Sequence, residues 1–182
     1  MKTILAILAL TILVTGCGAP AVQPAEAEAL QADVPRETAP DVTRDELTTL
    51  VDGNTAFAVD LYNQLQEEAD ADDGGNLFLS PHSISVALAM TYAGARGETA
   101  QQMADVLHFA LPEEDLHQAF NTLDLELSPS EDADEEAFIL QIANSLWAEK
   151  DYTFREAFLE TLAANYGAGL KLVSFRTAYE QA

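Results

Sequence analysis

Cysteine is almost absent from this chain of 182 residues, with Cys17 as the single example. A disulfide within the chain is therefore excluded, and the fold must be held by its core. Basic side chains are also scarce: 8 Lys and Arg stand against 31 Asp and Glu, for a formal net charge of −23. So acidic a surface repels phosphate backbones, which argues against nucleic-acid binding.

The apolar run at the N-terminus, residues 4–14, is too short for a permanent transmembrane helix, which needs about 20 residues. It follows Lys2 and leads into Val14-Thr15-Gly16-Cys17. This pattern resembles a bacterial lipoprotein signal peptide over residues 1–16, which implies lipidation of Cys17 and attachment to a bacterial membrane, facing the periplasm or the extracellular space. The alternative is an ordinary secretory signal with an incidental cysteine. Lipidation is favoured because the single cysteine stands where such a signal requires it.

Residues 17–42 are rich in Ala, Pro and acidic residues and show no hydrophobic period. Such a composition buries too little apolar area to offset the entropy of ordering, so the sequence predicts a flexible tether. The folded domain is predicted to cover residues 43–182. Thr43 with Glu46 has the spacing of a capping box and opens a predicted amphipathic helix that ends near Glu68.

The middle of the chain contains a short apolar stretch, Asn76–Leu79, that predicts a strand. Ser80 and Pro81 follow it as the cap and first residue of a helix. That helix is apolar on nearly every side, so we expect it to be buried on nearly every side. Gly94–Gly97 ends it, and Thr99 with Gln102 predicts the start of the next helix.

The remaining chain alternates between helical and strand patterns. The predicted elements are a helix after Leu111, a strand over 138–147, a helix opened by Thr153 with Glu156 and ended by Gly167, a strand over 170–175, and a helical turn at 178–182. The strand over 138–147 is apolar on both faces, which is typical of a strand in the middle of a covered sheet.

Three stretches of this sequence resemble the N-terminal region of serpins, the serine-protease inhibitor family. They are Asn76-Leu-Phe-Leu-Ser-Pro-His-Ser-Ile84, Tyr92-Ala-Gly-Ala-Arg-Gly-Glu-Thr-Ala100 and Ala143-Asn-Ser-Leu-Trp147. The resemblance implies an α+β serpin-type fold, represented by its N-terminal half: about five helices, strands of the main sheet and strands of a core sheet. A complete serpin is about twice this length, so we expect the chain to be truncated before the reactive loop.

The resemblance also implies a function. Serpins inhibit serine or cysteine proteases: the protease cleaves the reactive loop, and the loop then inserts as a strand into the main sheet. The implied partner is a target protease, and the protein is not an enzyme. The alternative is a non-inhibitory serpin-fold lipoprotein that serves as a surface binding or structural module. The sequence leaves both open.

Four residues match the region of serpins called the shutter, behind the strands that part. They are Ser80, Pro81, Ser83 and, with less support from its position, Asn144. A few polar contacts can hold a sheet that must separate and close again. The alternative for Ser80 is a helix cap and nothing more, worth about 1 kcal/mol.

No catalytic, cofactor or metal site is predicted. Ser80 has no assigned base, and the segment 70–76 lacks the ligands of a calcium loop and is interpreted as a surface turn. Three histidines lie on different segments without ligand spacing, and we expect them at the surface or at helix ends: His82, His108 and His117.

Overall fold

The computed structural model describes residues 28–68, 76–128 and 142–176, which form five helices and one three-stranded sheet. The elements are β1 (Glu28–Leu30), α1 (Arg44–Glu68), α2 (Pro81–Tyr92), α3 (Glu98–Leu107), α4 (Glu113–Leu127), β2 (Leu146–Glu149), α5 (Glu156–Tyr166) and β3 (Leu170–Val173). The predicted α+β class is confirmed. The signal peptide, Cys17 and the helical turn predicted at 178–182 lie outside the described residues.

The sheet has the order β1-β3-β2. β2 and β3 are parallel and are connected by α5, whereas β1 is antiparallel to β3. The strand predicted at 170–175 is confirmed up to Val173. Of the strand predicted at 138–147, residues 138–141 lie outside the described part and residues 142–145 are not in a strand. β2 is observed at Leu146–Glu149. Trp147 is 43% exposed, so the expectation that this strand is covered on both faces is wrong for the described residues.

Residues 28–42 correct the boundary predicted for the tether. β1 pairs with β3 along its whole length, and the backbone N–H of Glu37 donates to the carbonyl of Ala164 in α5 at 2.9 Å. Composition suggested a tether because few of these side chains are apolar. Backbone pairing and polar contacts hold the segment instead, and Leu30 adds apolar contact with the core beneath the sheet. For residues 17–27, which lie outside the described part of the chain, the tether remains a prediction.

Two hydrophobic clusters form the core, and α2 contributes to both. The first lies among α1, α2, α3 and α4 and contains Leu50, Phe57, Ala89, Leu107, Phe109, Leu116, Ala119 and Phe120. The second lies between α2, α5 and the sheet, around Met90, Leu162 and Leu170. Ile84 and Leu88 of α2 are nevertheless exposed. The expectation that α2 is buried on nearly every side is therefore wrong for the described residues.

The helix starts follow the predicted caps in two cases out of four. Thr43 and Glu46 form the reciprocal capping box, with the N–H of Thr43 donating to Glu46 Oε2 at 2.8 Å and the N–H of Glu46 donating to Thr43 Oγ1 at 3.3 Å. Ser80 caps α2. In contrast, α3 begins at Glu98 because Gly97 takes a φ of +62°, so Thr99 lies inside the first turn. α5 begins only at Glu156, after Arg155, and Thr153 does not cap it.

The strand predicted at Asn76–Leu79 is not formed. The segment has no regular structure, and the side chain of Phe78 is fully exposed. A strand needs a hydrogen-bonded neighbour, and the single sheet of the described residues does not include this segment. In the described ranges, no helix has the length and apolar character needed to cross a membrane.

Candidate functional site

Ser80, Pro81 and Ser83 lie together at the start of α2, as the sequence predicts. Ser80 is extended (φ −118°, ψ 92°), and its hydroxyl accepts from the N–H of Ser83 at 3.4 Å. The same hydroxyl donates to Ser83 Oγ at 2.9 Å. Pro81 occupies the first turn, where its missing N–H costs nothing. The two hydroxyls thus form a short polar contact at the exposed start of α2.

Asn144 lies elsewhere. It precedes β2 and is not part of the strand, so the prediction of a polar residue inside a strand is wrong. It is half-buried and lines a cavity of about 310 Å³, together with Met90 of α2 and Tyr166 of α5. Neither Ser80 nor Ser83 lines this cavity.

A buried polar pair that the sequence did not predict links α1 to α2. Ser85 is fully buried, and its hydroxyl donates to Asn54 Oδ1 at 2.6 Å. Asn54 Nδ2 is buried as well and has no hydrogen-bond partner among the described residues. A serine within so apolar a helix was a signal for such a contact, but its partner lies 31 residues away. The pair couples the helix that Ser80 caps to the first helix of the domain.

A second polar network attaches the N-terminal segment to α4. The guanidinium of Arg36 donates to Asn121 Oδ1 at 2.8 and 2.9 Å and to Asp124 Oδ2 at 2.6 Å. Asn121 is completely buried and donates its amide to the carbonyl of Glu37 at 2.7 Å. Asn121 both accepts from Arg36 and donates to Glu37, and Asp124 adds a charged acceptor. These hydrogen bonds fix residues 36–37 on the domain.

His117 corrects the expectation that the histidines lie at the surface or at helix ends. It is in the middle of the core side of α4, 2% exposed, with Nδ1 2.7 Å from the hydroxyl of Tyr166. Burial, with the positive charge of Arg96 as a smaller cause, lowers the pKa of His117 from 6.5 to about 4. The ring is therefore neutral at physiological pH and joins α4 to α5.

The other two histidines behave differently. His108 ends α3 in the left-handed conformation, with Nε2 2.7 Å from Asp60 Oδ2 of α1. His82 is half-buried near the start of α2, and burial lowers its pKa, partly opposed by the charge of Asp124. Within residues 28–68, 76–128 and 142–176, no three His, Cys, Asp or Glu side chains are placed to hold a metal ion.

The sequence matches one family model, described as "Serpin (serine protease inhibitor)", over residues 52–182. Leukocyte elastase inhibitor from Equus caballus is 43% identical over 129 residues, and leukocyte elastase inhibitor from Homo sapiens is 41% identical over 133 residues. These alignments cover 71% and 73% of this chain but 32% and 33% of the relatives. The chain thus spans about a third of the length of these proteins.

Two solved structures have a similar fold. A cleaved serpin 42Da superposes with a TM-score of 0.61 at 25% identity, covering 75% of this chain and 34% of its own. A cleaved kallistatin complexed with heparin superposes with a TM-score of 0.58 at 26% identity, covering 74% of this chain and 38% of its own. The helices and sheet described above therefore have the arrangement found in one part of these molecules.

Proposed function

The chain belongs to the serpin family, and from that premise we propose that the protein carrying it inhibits a serine or cysteine protease. The observation that supports this most is the family match over residues 52–182, shared with relatives named as inhibitors of leukocyte elastase. We propose the mechanism that the family resemblance implies: cleavage of a reactive loop, followed by its insertion as a strand into the main sheet. The protein is then the partner of an enzyme and not itself a catalyst.

The described residues would supply the scaffold on which that sheet moves. β2 packs on α2 through Leu146 and Ala148, which contact the cluster around Met90. A sheet that slides or parts over a helix is easier to move where its support is polar, because hydrogen bonds re-form while interlocked side chains do not. We propose that Ser80, Pro81, Ser83 and Asn144 provide such support.

The protease assay is the direct test. Incubation of the full-length protein with leukocyte elastase, or with a panel of serine and cysteine proteases, should give a covalent complex that resists SDS. A chain that ends at Ala182 should give none with any of them, because the resemblance places the reactive loop near the C-terminus of a complete serpin. A full-length protein that forms no complex and is cleaved as a substrate would favour the alternative, a non-inhibitory binding or structural module.

The serines provide a separate prediction. Ser80→Ala and Ser83→Ala in the full-length protein should each lower stability by about 1 kcal/mol and also lower the fraction of protease trapped, or cause polymers to form on warming. Thr43→Ala is the matched control, since it removes the cap of α1 with a similar loss of stability. Thermal unfolding, stoichiometry of inhibition and native gels measure the three effects. If Ser80→Ala behaves like Thr43→Ala in all of them, Ser80 is only a helix cap.

We also propose that the protein is lipid-anchored at Cys17, facing the periplasm or the extracellular space. The support is the signal pattern of residues 1–17, which precedes β1, the first element that the structure describes. From Cys17 to Glu28 is 11 residues. If residues 17–27 form the tether that their composition predicts, its typical reach is about 17–20 Å. A tether of residues 17–27 would hold the domain closer to the membrane surface than one of residues 17–42.

Replacing Cys17 with serine should release the protein or leave its signal uncleaved. Expression in a bacterial host with an alkyne-labelled palmitate analogue should label the wild-type protein in the membrane fraction and leave Cys17→Ser unlabelled. Because Cys17 is the only cysteine of these 182 residues, a thiol-linked label on this chain must be at that position. An unlabelled, soluble wild-type protein would show that the segment is an ordinary secretory signal.

A further inference from the structure

A cleft of about 610 Å³ lies where the turn between α2 and α3 meets the start of α5. It is at the opposite end of α2 from Ser80 and takes no part in the proposed inhibition. Its size is within the range of about 300–1,000 Å³ typical of sites for small molecules. Most of its wall is apolar, formed by Met103 of α3, by Phe154 and Phe158, and by alanines of the turn.

Phe154 and Phe158, which form one side of the cleft, pack against each other and against the core. Phe154 precedes α5, and Phe158 lies four residues on in its first turn. The two ring centroids are 6.4 Å apart with an interplanar angle of 32°, and both rings contact the cluster around Met90 and Leu162. Since the core holds the inner faces of these rings, the surface that they offer to the cleft is preformed.

The charge in the cleft is opposite to the charge of the protein. Arg96 and Arg155 both line it, and its wall contains no Asp or Glu. Four other clefts formed by the described residues each include at least one carboxylate: Glu113, Asp124, Asp52 and Glu126 are examples, one from each. In a chain of net charge −23, an apolar cleft with two arginines and no acid is a local exception.

Both guanidinium groups have free donors. The exposed side chain of Arg155 makes no hydrogen bond or ion pair with any described residue. Arg96 uses only Nη1, which donates to the carbonyls of Ala93 at 3.0 Å and Ala95 at 2.5 Å and to Glu113 Oε1 at 3.1 Å, and its side chain remains 64% exposed. A guanidinium has five N–H donors, so most of those at this cleft are open to a ligand.

We propose that this cleft, which we call the arginine cleft, binds an amphipathic anion: a medium-chain carboxylate whose tail lies on Phe154 and Phe158. Arg155, the unpaired guanidinium, would hold the carboxylate in a two-point contact, and Arg96 would add a second positive charge. Two threonine hydroxyls on the wall, those of Thr99 and Thr153, would donate to the same head group. The hydroxyl of Thr91 also lines the cleft but already donates to the carbonyl of Ala87 at 3.1 Å. Cationic and neutral amphiphiles lack the charge that this arrangement recognises.

Calorimetric titration of the full-length protein with dodecanoate, below its micelle-forming concentration, tests the proposal. Dodecanol, with the same tail and no charge, should bind at least 10-fold more weakly. Arg155→Gln should weaken dodecanoate binding about 10-fold. Arg155→Lys keeps the charge but not the two-point contact, so its affinity should lie between those of the wild type and Arg155→Gln. Thr99→Trp, which fills the cleft from α3 and leaves both arginines in place, should abolish binding.

Arg44→Gln is the control for charge alone, because Arg44 is exposed at the start of α1 and lines a different cleft. It should leave dodecanoate affinity unchanged. Equal affinity for dodecanoate and dodecanol, or equal losses in Arg44→Gln and Arg155→Gln, would overturn the proposal in favour of nonspecific apolar or ionic binding. Absence of any dodecanoate binding by the full-length protein would overturn it as well.

Discussion

Replacing Gly53 with alanine should lower the free energy of unfolding of the full-length protein by about 2 to 3 kcal/mol. Gly53 lies inside α1, where alanine would normally be better by about 1 kcal/mol. A Cβ at this position, however, would overlap with the backbone oxygen of His108 at the end of α3. Because the obstacle is backbone and not a flexible side chain, α1 and α3 must move apart to admit the methyl group.

The core around this contact gives it little freedom to move. Phe57, one turn further along α1, and Leu107, beside His108, are both buried in the first hydrophobic cluster. Urea unfolding measures the loss of stability. Asn63→Ala is the control: it is exposed on the same helix, and its effect should be within about 0.5 kcal/mol of zero. A Gly53→Ala protein as stable as the wild type would mean that the helices do not approach this closely.

Local start signals predicted the beginnings of α1 and α2 but not those of α3 and α5. α1 and α2 begin where Thr43 and Ser80 indicate, because a cap acts on N–H groups only two or three residues away. The starts of α3 and α5 were predicted from the same spacing and were misplaced. The positive φ of Gly97 sets the turn before α3, so the helix begins at Glu98, one residue before Thr99. α5 begins at Glu156, which the sequence predicted as the last residue of the capping box and not as the first residue of the helix.

Residues 28–42 are held by contacts with distant parts of the chain, which a local sequence pattern does not predict. Residues 28–42 look like a tether in composition, but Arg36 reaches Asn121, which is 85 residues away in the sequence. Similarly, β1 is recognisable only once β3 lies beside it. Conversely, the strand predicted at Asn76–Leu79 has the right side chains but no neighbour among the described strands. Strand formation depends on a partner, and a single segment does not specify one.

Only part of the candidate site was predicted, because only part of it consists of residues that are close in sequence. Ser80, Pro81 and Ser83 are neighbours in sequence, so their meeting at one helix start could be foreseen. Asn144 was placed in a strand by its apolar neighbours, whereas the strand begins two residues later. The buried pairs Ser85 with Asn54 and His117 with Tyr166 join separate helices, and only the packing of those helices reveals them.

Acidification from pH 6.5 towards pH 4 should destabilise the protein through His117. The folded pKa of about 4 is below the ordinary value of 6.5 because the ring is buried, and the nearby Arg96 charge adds to the effect. Burial also raises the pKa of Tyr166, so its phenol stays protonated as the partner of Nδ1. Since the unfolded chain binds the proton more readily, the stability from neutral His117 is complete above pH 6.5 and is lost as pH falls through the folded pKa.

The difference between a pKa of 6.5 and one of about 4 corresponds to about 3 kcal/mol, of which about 2 kcal/mol should be lost between pH 7 and pH 4.5. Urea unfolding at a series of pH values should show this loss in the wild type and not in a protein with both His117→Phe and Tyr166→Phe. The acidic side chains titrate in both proteins, so the difference between the two curves isolates His117.

Tyr166→Phe alone removes the hydrogen bond to His117 but keeps the buried imidazole ring, so this variant should keep the pH dependence. Parallel curves for the wild type and the double variant would mean that the buried ring takes up no proton on unfolding in this range, and that His117 contributes to the core only by packing.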